Sequence, residues 1–320
     1  MTAARLVHVG SAVVDYVYRI EALPAPGSER VATSYARAVG GGFNMMVAAS
    51  RTGLPVLFAG QHGTGPDGDF LRAALAAEKI ERSAAPNPNL DSGNCVVLVT
   101  ADAERTFVSW PGAEGMATDE DMAAITLHPH DWVFASGYTL SYRGSRVALA
   151  DWLEALPEGI PLVFDPTPVV GQIPGDILSR VLARTTWLSC NEAEASVIAG
   201  DGTPGNLCKR LMQEHCPSAQ GIVLRAGAAG SFLRLADGSF AGIPGFRVAA
   251  VDTNGAGDTH IGSFVSALSR GVEPMQAARY ANAAAAISVT RHGGASAPTH
   301  LEIERFLASR TDHDTKLATA

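Results

Sequence analysis

Lysine is nearly absent from this chain: only Lys79, Lys209 and Lys316 occur, and every other basic residue except histidine is arginine. None of the three stands in a glycine loop and no G-x-x-x-x-G-K-[ST] run exists, which excludes a Walker-type phosphate loop. A Gly-x-Ser-x-Gly nucleophile elbow is also missing. Cysteine is scarce: Cys95, Cys190, Cys208 and Cys216 contain no C-x-x-C pair, and Cys208, His215 and Cys216 lack zinc spacing. They read as reduced, mostly buried thiols. No apolar run approaches the ~20 residues of a membrane helix. Residues 1–5 carry no signal-peptide pattern, so the chain reads as soluble and cytoplasmic. Positive charge is in deficit as well. With 24 Lys and Arg against 32 Asp and Glu, the net charge of -8 argues against nucleic acid and anionic membrane as partners.

What is present is apolar residue in quantity, 47% of 320 positions, enough for a large core. Short apolar runs at 6–10, 56–60, 132–136, 161–165, 186–190 and 221–224 read as buried strands. Helix-period segments at 44–52, 67–79, 145–156, 176–183, 192–199 and 206–214 lie between or after them, and Ala-rich helices at 257–269 and 274–288 close the pattern. Strand–helix alternation predicts a mostly parallel sheet covered on both faces, a three-layer α/β domain. Segments 13–37 and 92–109 instead show alternating polarity around turn residues, which predicts a small β-sheet lid inserted twice into that domain. One domain over 1–310 is expected, followed by a disordered tail at 311–320.

The most informative segment is Asp252-Thr253-Asn254-Gly255-Ala256-Gly257-Asp258, read as following a strand at 246–251 and opening an apolar helix. Small residues let a ligand approach the backbone. The first amides of a helix have no internal partners and carry the positive end of its dipole, so they can receive a phosphate or a developing oxyanion. Asp258, in the first turn, can accept a proton from a hydroxyl while those amides hold a phosphoryl group. Spacing alone equally allows a plain helix entry with a dipole-complementing acid.

This segment resembles the D-T-x-G-A-G-D signature of the ribokinase, or PfkB, family of carbohydrate kinases, although Ser263 stands where that family has Gly or Ala. The resemblance covers nearly the whole chain. It implies a ribokinase-like fold, ATP and Mg²⁺ as cofactors, Asp258 as catalytic base, and Gly255, Ala256 and Gly257 as the anion hole. Gly10-Ser11-Ala12-Val13-Val14-Asp15 resembles the first strand and turn, whose Asp binds sugar hydroxyls. Gly40-Gly41-Gly42-Phe43-Asn44 resembles the glycine-rich substrate loop, so Asp15, Gly41, Gly42 and Asn44 become substrate-binding candidates. Asn191 and Glu194 match an N-x-x-E motif near the nucleotide phosphates, with Glu194 implied to hold Mg²⁺ through water. Arg225, Gly227 and Gly230 match T-x-G-x-x-G beside ATP, with Arg225 in place of Thr. That arginine either meets a phosphate or points to solvent. Asn282 matches a nucleotide-contacting position. Asp252, Asn254, Ser288, Arg291, Gly293 and Ala297 match a K⁺ site of some relatives.

The implied reaction is phosphorylation of an alcohol on a sugar. Ribokinase itself has Asn at Val13 and Lys at Gly41, so ribose is not implied. Phe43, Tyr16, Trp110 and Tyr138 are expected to line the pocket. Alternatives are a nucleoside kinase, a non-catalytic sugar- or nucleotide-binding protein, and a dinucleotide enzyme resting on Gly63-Thr64-Gly65-Pro66-Asp67-Gly68, a formal G-x-G-x-x-G. The resemblance also implies a homodimer joined through the lid.

Overall fold

A computed structural model describes residues 4–102 and 104–318, with residues 311–318 described by backbone only. Nine strands form the large sheet: β1 (Leu6–His8), β4 (Val56–Phe58), β5 (Glu81–Arg82), β8 (Trp132–Ser136), β9 (Leu162–Asp165), β10 (Trp187–Asn191), β11 (Gly221–Arg225), β12 (Gly230–Leu235) and β13 (Phe240–Pro244). Four others form the lid: β2 (Ala12–Arg19), β3 (Ser34–Gly41), β6 (Ser92–Val99) and β7 (Arg105–Gly112). The helices are α1 (Gly42–Arg51), α2 (Pro66–Ala77), α3 (Asp119–Ala123), α4 (Gly137–Ser141), α5 (Arg146–Glu154), α6 (Gly175–Arg184), α7 (Glu192–Ala199), α8 (Pro204–Arg210), α9 (Ala256–Ser269), α10 (Pro274–Ser288) and α11 (His300–Ala318).

The large sheet runs β13-β12-β11-β10-β9-β8-β1-β4-β5, parallel from β11 to β5, with β12 and β13 antiparallel at one edge. Its strands read as unbroken apolar runs because both faces are covered. Leu6, Val56, Phe58, Phe134, Val163 and Val223 pack on one face against α1, α9 and α10. Their neighbours Val7, Leu57, Val133, Leu162 and Ile222 pack on the other against α5, α6 and α8. The chain leaves β1 toward β4 on one side and later returns to β8 on the other. The carboxyl ends of β1 and β8 therefore flank a topological switch point, where open α/β sheets bind ligands.

The lid is the sheet β3-β2-β6-β7. Period 2 sorts its side chains. Asp15, Val17, Arg19, Ala36, Val97, Val99, Arg105 and Phe107 face the body across a cavity. Tyr18, Tyr35, Val96, Leu98, Val108 and Trp110 fall on the opposite face by register. The lid is moored to the body by Asp67, in the first turn of α2. Asp67 accepts hydrogen bonds from Tyr16 Oη (2.5 Å), Arg37 Nη2 (2.5 Å) and Asn94 Nδ2 (3.1 Å), one from each of three lid strands.

One expectation is corrected. Residues 246–251 are irregular, not a strand. The edge strand β13 ends at Pro244, and the chain beyond it borders a cavity with Phe246, Val248 and Ala250. The hairpin β12–β13 went unread, although Asp237-Gly238 (Gly238 φ 88°) is a turn signal between two apolar runs. Helix α11 is assigned from His300 to Ala318. Once a helix is nucleated by a packed first half, propagation costs little. Residues 319–320 lie outside the described residues.

Candidate active site

Asp258 stands in the first turn of α9, at the carboxyl end of the sheet. The helix entry depends on Gly255, whose φ of 71° is left-handed and whose absent Cβ would lie 2.2 Å from the Gly294 carbonyl oxygen. No side chain caps α9. The Ala256 amide donates weakly to the Thr253 carbonyl (3.3 Å), whereas the amides of Gly255, Gly257 and Asp258 have no hydrogen-bond acceptor among the described residues. The anion hole of the sequence is thus present as free donors at two of its three positions, Gly255 and Gly257, with Ala256 turned partly inward.

Two cavities meet at this helix entry. The first, about 630 Å³, lies under the lid and is lined by Asp15, Asn44, Asp252, Asn254, His292, Gly293 and Gly294, with apolar lid residues as its roof. The second, about 530 Å³, is lined by Arg225, Gly227, Gly230, Ala256, Gly257, His260 and Asn282. Asp258 is joined to the first through Asn44, whose Nδ2 donates to Asp258 Oδ2 at 3.2 Å, and to the second through its neighbour Gly257. Asn44 Oδ1 is buried and unpartnered, an acceptor left for a hydroxyl.

The carboxyls are tuned by their surroundings. Burial, and then the nearby charge of Asp165, push Asp258 up to about 6, opposed by the Asn44 hydrogen bond and Arg225. Burial alone raises Asp15 to about 6. Gly40 makes room for it, since a Cβ there would lie 2.1 Å from Asp15 Oδ2. Gly41 holds a φ of 61°, and a Cβ on Gly42 would strike the His8 ring at 2.3 Å. The glycine loop is therefore spatially required.

Glu194 does not reach either cavity. It is buried in a capping box with Asn191, whose backbone and side-chain nitrogens donate to its two oxygens at 2.8 Å. Arg225 lies against it, with Nη2 donating to Glu194 Oε2 (3.1 Å) and Nη1 to Asp165 Oδ2 (3.2 Å). Asp165, Glu194 and Asp258 thus form an acidic group around one guanidinium, and burial followed by Asp165 raises Glu194 above its usual range. No set of three or more His, Cys, Asp or Glu among the described residues forms a direct metal cage. This donor set suits a hydrated divalent cation shared with phosphates, not one stripped of water.

Asn282 lines the second cavity, but its amide is spent: Oδ1 faces His260 Nε2 (3.1 Å) and Nδ2 donates to the Ile243 and Pro244 carbonyls. Burial first, then Arg225, lowers His260 to about 3, so it is a neutral wall residue. Asp252, Asn254 and Gly293 do come together, and Val251 donates to the Val289 carbonyl just past Ser288. Arg291 turns away to Glu302 (2.5 Å), and Ala297 accepts from Arg51 at its carbonyl. Asp252 Oδ1 accepts from the Asn254 amide and Arg105 Nη2 (2.7 Å), and Oδ2 from the Gly293 amide. With a guanidinium already on this carboxylate, the site fits a monovalent cation poorly.

Several pocket expectations fail. Tyr16 is turned to Asp67, Trp110 lies on the far side of the lid, and Phe43 is in the core. The aromatic side chain that walls the first cavity is Phe107. The G-x-G-x-x-G at 63–68 is filled by the protein itself: Asp91 accepts from the Asp67 (3.1 Å) and Gly68 (2.7 Å) amides, the donors a pyrophosphate would need. The dinucleotide alternative falls with that. Sequence reasoning missed Asp165 and Arg105. For Asp165 a signal existed, an acid ending a buried strand at the ligand-binding edge of the sheet.

A family model for the pfkB family of carbohydrate kinases matches residues 3–300. The uncharacterized sugar kinase YegV of Escherichia coli is 32% identical over 300 residues, covering 92% of this chain and 91% of the relative. A Haemophilus influenzae ribokinase is 30% identical over 308 residues, covering 93% and 97%. The Arabidopsis thaliana ribokinase solved with ribose and ATP superposes with a TM-score of 0.77 at 23% identity, covering 96% of this chain and 99% of that one. With the signature in place at a helix entry between two cavities, the chain belongs to the pfkB family of carbohydrate kinases.

Proposed function

We propose that this protein transfers the γ-phosphoryl group of ATP to a hydroxyl of a sugar or nucleoside bound under the lid. The observation that carries the reading is the position of Asp258 between two cavities, beside unpaired helix amides. The acceptor sits in the first cavity with hydroxyls on Asp15, Asn44 and the backbone of Gly41 and Gly42. The nucleotide sits in the second, along Arg225, Gly227 and Gly230, over the wall formed by Asn282. Asp258 takes the hydroxyl proton. The acceptor oxygen bonds to the γ-phosphorus, the bond to the β,γ-bridging oxygen breaks, and ADP leaves. The free amides of Gly255 and Gly257 stabilise the oxygens of the group in transit. Glu194 and Asp165 would hold Mg²⁺ through water, and the ion would supply charge neutralisation.

Val17, Val97, Val99 and Phe107 give the acceptor cavity an apolar roof, which favours acceptors carrying a flat or apolar substituent, nucleosides among them. Two protomers join through the outer lid face. Four buried, unpaired cysteines suit a reducing cytoplasm, and no helix among the described residues is long and apolar enough to cross a membrane.

Replacing Asp258 by Asn removes the base and keeps the volume. Turnover, read by coupled ADP release over a panel of sugars and nucleosides, should fall roughly 10²- to 10⁴-fold. ATP affinity by calorimetry should stay close to wild type. Undiminished turnover would refute the base assignment. Wild-type ligand binding without ADP release on any acceptor would favour the non-catalytic reading.

A further inference from the structure

The strand β11 ends on Arg225, where the family signature has Thr, and this position sits at the seam between the acidic group and the anion hole. A Cβ on Gly257 would stand 2.7 Å from Arg225 Nη1, so the guanidinium lies directly on the second glycine of the hole. Its side chain is 12% exposed, and what exposure remains is toward the nucleotide cavity. Asp165 and Glu194 take two of its five N–H donors. The remaining donors have no acceptor among the described residues. We propose that Arg225 is a substrate-contacting residue of the phosphoryl transfer, a built-in cation that grips the γ-phosphoryl group of ATP beside the Gly257 amide. This rests on the kinase reading above.

Three observations favour a phosphate contact over a purely structural rivet. The cavity wall at this point is the guanidinium itself, not the carboxylates behind it. A planar fork anchored on one edge by two carboxylates presents its other edge in a fixed direction, the geometry that suits phosphate oxygens. The surroundings would otherwise repel a polyphosphate, because Asp165, Glu194 and Asp258 all lie within electrostatic reach of the guanidinium. Burial works against the charge of Arg225, yet the two acids hold it firmly protonated, so the cation persists at any working pH.

A cation at the γ position discriminates ATP from ADP, whereas a rivet does not. The test compares equilibrium affinities for the imido analogue of ATP and for ADP, with Mg²⁺ and without acceptor, by calorimetry. Arg225→Thr alone would strand two buried acids, so it is paired with Glu194→Gln, which can still accept from the Asn191 backbone amide, loses the bond from Asn191 Nδ2, and removes one of them. Arg225→Lys serves as the charge-retaining control, and thermal unfolding reports whether each variant folds. The R225T/E194Q variant should lose about 10- to 100-fold in affinity for the imido analogue, the range of a charge-assisted hydrogen bond, with ADP weakened less than about threefold. Because Glu194 is assigned to the Mg²⁺ site, these losses are read against E194Q and not against the wild type, and R225K should recover much of the preference. Equal losses for both nucleotides in folded variants, or an unchanged preference, would overturn the assignment of Arg225. Failure of the wild type to bind either nucleotide would instead overturn the kinase reading.

Discussion

At the residue scale, the site places two carboxyls where ionisation is opposed. Asp258 and Asp15 both reach about 6, burial being the first cause in each and Asp165 adding to Asp258. A base must be ionised to accept a proton, so the acceptor kcat/KM should be flat above that value and fall as pH drops through it. Two groups titrating together make the limb steeper than one proton, and Asp15→Asn should leave a one-proton limb on a lower plateau. A wild-type profile still flat well below 6 would show that neither carboxyl has to ionise. The same shifts act on stability with a definite sign. Between 3.8 and about 6 the folded chain holds protons that the unfolded chain releases, so these two groups make folding less favourable as pH rises through that window. Asp258, Asn44 and Asp15 were legible in the sequence because each sits in a compact glycine-flanked signature whose backbone demands are local. Arg105 was not, and Asp165 showed only as an acid ending a strand, without its role. Their partners lie 147 and 60 positions away along the chain, so their roles exist only once the sheet and lid are assembled.

Elements were legible in proportion to how strongly one period governed them. The parallel strands are short, doubly buried and bounded by turns, and helix α7 runs over the 192–199 read from its pattern. The two failures at 230–251 share a cause. An edge hairpin needs no continuous apolar run, and a run such as 246–251 becomes a strand only where a neighbour offers hydrogen bonds. The lid shows how elements are coupled by single side chains. Asp67, buried in the first turn of α2, gathers Tyr16, Arg37 and Asn94 from β2, β3 and β6. Asp67→Ala leaves those donors without an acceptor. Because Arg37 is partly exposed and can rehydrate, the cost should be about 1–3 kcal/mol, below that of a fully buried pair. Urea unfolding measures this. The lid roofs only the first cavity, so with the acceptor placed there as proposed, the acceptor KM should rise severalfold with the ATP KM nearly unchanged. A parallel rise in both would mean that the mooring supports the body of the enzyme and not its lid.

On the scale of the whole molecule, the carboxyl edge of the sheet gathers residues from opposite ends of the chain: Asp15 and Asn44 through the lid, Asp165 and Arg225 from the strands, Asp258 from the closing helix pair. The order of strands explains why the two cavities meet there, since the switch point opens a crevice that the lid then covers. That arrangement leaves part of the lid's second face open: α2 lies against it at Tyr16, Arg37 and Asn94, while among the described residues the outer positions of β3 and β7 stay exposed. Tyr35 is 54% exposed, Val108 64% and Trp110 48%, on a four-stranded sheet whose edge strands β3 and β7 are largely open. Apolar area of this kind stabilises an assembly by about 25 cal/mol per Å² when covered, and an open edge strand left bare invites uncontrolled pairing. A second copy is the covering that the proposed lid homodimer would supply. Trp110→Lys together with Val108→Lys places two charges in that face without touching the cavity side, where Phe107 and Arg105 stand. Sedimentation velocity should show the wild type at the mass of two chains and the double variant at the mass of one. The monomer should keep its fold by circular dichroism. A wild type that sediments as a monomer over the micromolar range would mean that the face serves some other contact.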